Sequence, residues 1–77
     1  MKNHVDCIAK QLKWMVDRNA MNMEKVNWSH FIINGVAVEF DSNIKKWYVN
    51  GRGVCRAHEY REPDKIMKAV YKACFWM

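Results

Sequence analysis

The strongest constraint in this chain is the pair Asn34-Gly35, set between two runs of alternating apolar residues from Trp28 to Phe40. Both residues tolerate positive φ, which makes the pair the favoured two-residue type I′ hairpin turn. Such a turn pairs Ile33 with Val36, Phe31 with Val38 and Ser29 with Phe40. In that register Phe31, Ile33, Val36, Val38 and Phe40 share one face, because side chains alternate along a strand. Turn chemistry and alternation agree on one antiparallel hairpin with one buried side.

The hairpin extends on its C-terminal side. Asp41-Ser42-Asn43-Ile44 reads as a second turn. A four-residue loop there sets Glu39 opposite Lys46, Val38 opposite Trp47 and Val36 opposite Val49. Opposite charges then pair outside and apolar groups inside. The other parity turns Ile44 and Tyr48 inward but brings Lys46 with them, so Trp47 and Val49 inward is favoured. A third turn at Asn50-Gly51-Arg52-Gly53 suits a tight or bulged hairpin. A fourth strand is expected from Val54 to about Tyr60, with Val54 inward.

Helices flank these strands. Val5, Ile8, Leu12, Met15 and Val16 recur at helical spacing. Asn3 is the expected cap, with Asp6 in the first turn. Trp14 and Cys7 fall opposite the apolar stripe, and the helix should fade around 19–22. Pro63 suits the first position of a second helix, with Asp64 beside it. Ile66, Ala69, Val70, Ala73 and Met77 form its expected buried stripe, and Lys65, Lys68 and Lys72 lie together on the far side. The predicted fold is therefore α+β, in the order α-β-β-β-β-α: one domain over residues 1–77, an antiparallel four-stranded meander with both helices on one face. The other face presents His30, Ile32, Ala37, Lys46, Tyr48, Cys55 and Ala57, neither clearly core nor clearly solvent.

Charge points to a class of partner. The chain has 77 residues and a net charge of +5. Up to Asp41, basic and acidic side chains balance. From Ser42 onward Lys45, Lys46, Arg52, Arg56, Arg61, Lys65, Lys68 and Lys72 face only Glu59, Glu62 and Asp64. A one-sided basic field attracts polyanions and speeds encounter with them. Phosphate contacts supply most non-specific nucleic-acid affinity through counterion release. The expected nucleic-acid contacts are Lys45, Lys46, Arg52, Arg56, Lys65, Lys68 and Lys72, with RNA the favoured partner and Tyr48 and Trp14 able to add stacking. The plain alternative is that a lysine row on a helix is a solvated face.

A second reading is a stoichiometric inhibitor of a host protein, with no nucleic-acid contact. Its expected interface is Trp14, Ile32 and Tyr48. Trp is enriched at interface hot spots, although packing of Trp14 against the Trp28 segment would explain it equally. With 51% hydrophobic residues in so short a chain, some apolar surface should remain outside, and a two-fold homodimer is the expected cover.

Other chemistry is poorly supplied. His4 and Cys7 lie three apart on the first helix, but no second pair accompanies them as structural zinc sites require. Cys55 and His58 lie three apart on a strand and should face opposite sides, which rules against a Cys–His nucleophile. No carboxylate pair or phosphate-cradling glycine loop is present. The expectation is a non-enzyme without cofactor, metal or small-molecule substrate. The three cysteines show no framework spacing, and no stretch is apolar enough for a membrane span. The expected setting is a reducing cytoplasm with free thiols.

Two resemblances bear on this reading. Helix, strands and a basic second helix together are similar in outline to the double-stranded RNA-binding domain, in which a loop and the start of the second helix grip phosphates. Lys65 and Lys68 stand roughly where such lysines belong. The family has three strands rather than four. Its lysine-rich helix start is replaced here by Glu62-Pro63-Asp64-Lys65, whose acids argue against a phosphate at that helix end. In length and in its Met-, Trp-, Lys- and Asn-rich composition the chain resembles the small early accessory proteins of T-even-type bacteriophages. That resemblance implies host takeover, or the blocking of a host defence such as a nuclease or toxin–antitoxin system, in the host bacterial cytoplasm.

Overall fold

A computed structural model describes residues 2–75. Its elements are α1 (Lys2–Arg18), β1 (Met23–Asn27), β2 (His30–Ile33), β3 (Val36–Asp41), β4 (Lys46–Val49), β5 (Arg52–Arg56) and α2 (Glu62–Phe75). The strands form one antiparallel sheet in sequence order, a five-stranded meander with a helix before and after it. The α+β class is as expected; the strand count is not.

The additional strand is β1. It pairs Met23 with Ile33, Glu24 with Ile32 and Lys25 with Phe31. Only Met23 packs against the core, and the other four residues are exposed. An edge strand that buries one side chain has no alternation to reveal it. Backbone pairing holds it instead. Asn34 N–H donates to the Asn22 carbonyl at 3.0 Å, and Asn22 N–H donates to Asn34 Oδ1 at 2.8 Å.

The β2–β3 register is the expected one. The β3–β4 register lies two residues away from the expected pairing: Val38 faces Val49, Phe40 faces Trp47, and Asp41 faces Lys46. Asp41 Oδ1 accepts the Asn43 N–H at 2.9 Å, and Lys45 closes the loop at φ 55. The turn therefore occupies Ser42–Lys45. A shift of two leaves every side chain on its face, so Trp47 and Val49 are buried as expected. Asp41 simply replaces Glu39 as the acid opposite Lys46.

The β4–β5 ladder departs further. Val49 faces Arg52 and Tyr48 faces Gly53, but Trp47 faces Cys55. Val54 is the extra residue of a bulge. The bulge reverses the parity expected for this strand: Cys55 is buried and Val54 only half-buried. The strand also ends at Arg56 rather than near Tyr60.

α1 buries Val5, Ile8, Leu12 and Val16, with Met15 at the border of the stripe. It begins by Lys2, so Asn3 lies within the first turn and is not its cap. Its end is a Schellman motif: Met21 N–H donates to the Val16 carbonyl at 2.9 Å and Ala20, at φ 53, to that of Asp17 at 3.3 Å. α2 buries Glu62, Pro63, Ile66, Met67 and Val70. Ala69 and Ala73 are half-buried, and Met77 lies outside the described residues. The buried residues of both helices and of β2–β5 form a single core, with Trp47 and Phe31 its largest members. Among the described residues no helix is long and apolar enough to cross a membrane.

Candidate nucleic-acid interface

α2 runs beside the β5 edge and leaves a groove between them. Arg52 enters this groove because it pairs with Val49 across a two-residue turn and so shares the face of that buried side chain. Lys65, Lys68 and Lys72 enter from the helix. Arg52, Lys65, Lys68 and Lys72 line one cavity of about 1040 Å³, together with Val49, Val54, Ala69 and Ala73. Two elements thus set cations around an aliphatic floor. Lys68 and Lys72 are one helical turn apart, a rise of ~6 Å.

The other three predicted cations lie elsewhere. Lys45 is exposed in the β3–β4 loop. Lys46 and Arg56 face one another on the open side of the sheet. Lys46 lies across that sheet, with Nζ 5.7 Å from the centre of the Tyr48 ring. A Cβ at Gly53 would stand 2.5 Å from Lys46 Cε, so the missing side chain makes room for the crossing. Arg56 and Lys46 are not part of the groove.

Lys65 is partly committed within the groove. Its ammonium pairs with the carboxylate of Glu59. That hydrogen bond holds the Glu59 carboxyl below the usual carboxylate range, helped by the Arg56 backbone, and holds the Lys65 ammonium above its own. Arg52, Lys68 and Lys72 have no ion-pair partner among the described residues.

The loop between β5 and α2 is anchored from below by Glu62, only 4% exposed. Trp47 Nε1–H donates to Glu62 Oε2 at 2.9 Å, and the His58 backbone N–H donates to Oε1 at 2.8 Å. His4 Nε2 stands 3.1 Å from the same Oε2. It makes no hydrogen bond there. A buried carboxylate needs such donors, and here the two hydrogen bonds tie β4, the loop and α2 together. Glu62, which argues in the sequence against a phosphate at the helix start, is turned inward and occupied. Above it the loop displays Tyr60, 94% exposed. Sequence reasoning missed Glu59, Tyr60 and Glu62 as site residues. An acid just before Pro63 was a signal for Glu62; Tyr60 was hidden by its assignment to a strand.

The candidate interface residues are scattered. Trp14 is 60% exposed on the outer side of α1, with the Arg18 guanidinium 4.5 Å from the centre of its ring. Ile32 and Tyr48 are half-buried on the open sheet face. On α2, Tyr71 packs against the core, whereas Phe75 is 75% exposed.

Cys55 and His58 do not meet as a nucleophile and base. Cys55 is buried and His58 is exposed in the loop. Burial first, then the negative charges of Glu59 and Glu62, pushes the Cys55 thiol up to about 11. His4 turns toward Glu62 while Cys7 stays exposed, so that pair is split. Among the described residues no three His, Cys, Asp or Glu side chains are placed to hold a metal. No protein family, curated protein or solved structure matches the chain.

Proposed function

We propose that the protein binds nucleic acid, with RNA favoured, along the groove between β5 and α2. The observation that carries this reading is the convergence of Arg52, Lys65, Lys68 and Lys72 on one cavity from two separate elements. A merely solvated lysine face needs no arginine on the opposing wall. The test is a gel-shift titration with single-stranded RNA and DNA oligonucleotides over a range of salt. Three unpaired cations give a log–log salt slope of about −2 on a single strand. Charge reversal at Lys68 and Lys72 (K68E/K72E) should weaken binding by about tenfold or more and flatten that slope. No salt-sensitive binding below tens of micromolar overturns the reading. A phage accessory role against a host nuclease or toxin–antitoxin system is the biological setting we propose with it, on the resemblance in length and composition.

The exposure of Trp14 favours a second reading, inhibition of a host protein through the outer side of α1. Protein purified at low salt separates the two: co-purifying nucleic acid raises its absorbance ratio at 260 and 280 nm, and a clean protein spectrum favours the inhibitor. We also propose a two-fold homodimer through the open face carrying Ile32, Ala37 and Tyr48. Sedimentation equilibrium at micromolar concentration should give twice the chain mass, and a monomer there removes the dimer.

A further inference from the structure

We infer that Tyr60 is a base-stacking platform at one end of the groove, so that the ligand is a phosphate run flanked by an unpaired nucleotide. The inference rests on the groove reading and adds a second chemistry to it. Tyr60 is 94% exposed, the most exposed large hydrophobic residue among those described. Trp47, Phe31 and Phe40 are in the core, and Trp28, Tyr48 and Tyr71 are half-buried. The Trp14 ring is already occupied by Arg18.

The loop that presents Tyr60 is closely tied. His58 takes φ 71 and donates its N–H to buried Glu62 at 2.8 Å. Glu59 N–H donates to the Arg56 carbonyl and Glu62 N–H to that of Glu59, each at 3.3 Å. Lys65 N–H donates to the Arg61 carbonyl at 2.9 Å. The side chains of Glu59 and Lys65 close the same loop against the helix. An aromatic ring left in water on a fixed loop is a pre-organised contact, since little ordering remains to be done on binding.

Position supplies the ligand class. Tyr60 follows Glu59, whose carboxylate touches Lys65, the first lysine of the groove. Tyr60 thus stands two residues before α2, on the loop at the N-terminal end of the row Lys65, Lys68 and Lys72. Apart from Asn50 and Gly53, the groove is lined by aliphatic and basic residues, with no aromatic side chain among them. A backbone laid along it finds phosphate partners inside and a ring on the tied loop at this end, while the exposed Phe75 lies beyond Lys72 at the far end of α2. Single-stranded binders combine these two parts, because every base has a face to stack while cations track the backbone.

The experiment measures binding of a single-stranded RNA octamer carrying 2-aminopurine, beside a blunt RNA duplex of the same length. It compares the wild type with Tyr60→Ala, Tyr60→Phe and K68E/K72E. Tyr60→Ala should lose roughly 5- to 100-fold in single-strand affinity. Its salt slope and duplex affinity should stay at wild-type values, because no cation has moved. Tyr60→Phe should remain within about twofold, since the ring is retained. The 2-aminopurine signal should change on binding to wild type and not to Tyr60→Ala. Equal single-strand affinity for Tyr60→Ala and wild type overturns the platform. If K68E/K72E binds like wild type while Tyr60→Ala loses affinity, the groove reading fails and the platform stands alone. Thermal unfolding of Tyr60→Ala should match wild type, and a large drop would show instead that the ring serves the fold.

Discussion

The β2–β3 and β4–β5 hairpins turn on the same two residues and then diverge. Asn34 and Asn50 stand at φ 49 and 50, and Gly35 and Gly51 at φ 80 and 79. Each asparagine also reaches sideways. Asn34 Oδ1 accepts the Asn22 N–H at 2.8 Å, and Asn50 Oδ1 accepts the Ala37 N–H at 3.2 Å. Their own N–H groups return to the carbonyls of those same residues, at 3.0 and 2.8 Å. Beyond Gly35 the ladder is regular, whereas beyond Gly51 it bulges at Val54. In a regular strand Arg52 and Cys55 would point to opposite faces. With the bulge both turn toward the helices, one into the groove and one into the core. The same turn chemistry thus builds a scaffold in one hairpin and a binding edge in the other. The strand leaving the turn makes the difference, not the turn itself.

The largest expected effect leaves both turns intact and removes the anchor between the second hairpin and α2. Glu62→Ala strands the Trp47 indole N–H and the His58 amide, two buried or half-buried donors. The expected loss is about 3 kcal/mol in urea unfolding. A loss under about 1 kcal/mol would mean that the second hairpin holds α2 through apolar packing alone.

Thiol chemistry reads the bulge directly. A regular ladder would put Cys55 on the open face beside Tyr48. The bulged one buries it and raises its thiol from 9.0 to about 11, which cuts the thiolate fraction at pH 8 about a hundredfold. Exposed Cys7 should react with a thiol reagent far faster than buried Cys55 in the folded protein. Comparable rates for the two would refute the bulge. The same shift has a pH signature. The folded state keeps the Cys55 proton where the unfolded chain has lost it. Stability from this group is therefore complete below about pH 9 and lost as pH rises through about 11.

The turns themselves should prove equivalent. A Cβ at Gly35 or at Gly51 meets nothing within 4 Å. Gly35→Ala and Gly51→Ala therefore test backbone preference without a clash, and each should lose about 1–2 kcal/mol. Unequal losses in denaturant titrations would show that the hairpins differ at the turn and not only after it.

How much of this was legible depends on how many signals met at one place. Where a turn pair and an alternating run coincide, as around Asn34-Gly35, the register was readable to the residue. Around Asp41 only the alternation was available. The faces of Trp47 and Val49 came out right, but the pairing slipped by two, which alternation cannot detect. Gly53 signalled a bulge without saying which residue it would displace, so Val54 and Cys55 were assigned to each other's faces. β1 carried no apolar pattern because four of its five residues bury nothing. In the candidate site, the helical lysine row was plain from spacing. Its meeting with Arg52 depends on the β4–β5 register and was not.

The smallest effect concerns how many cations the second hairpin and its helix offer a ligand. Glu59 already occupies Lys65, so a phosphate arriving there must displace a carboxylate. Glu59→Gln removes that competitor and keeps a polar side chain of the same size. Single-strand affinity should rise on the order of threefold, and the salt slope should steepen by ~0.7, the increment for one further phosphate. The sign with pH is fixed by the direction of the Glu59 shift. Its carboxyl is held below the ordinary range by Lys65, so the pair persists above that range and opens as pH falls through the lowered value. Wild type and Glu59→Gln should therefore differ at pH 7 and converge in acid. Identical slopes at pH 7 would mean that Lys65 stays paired with bound ligand present. The groove would then grip with Arg52, Lys68 and Lys72 alone, and Glu59 would serve only to hold the Tyr60 loop against the helix.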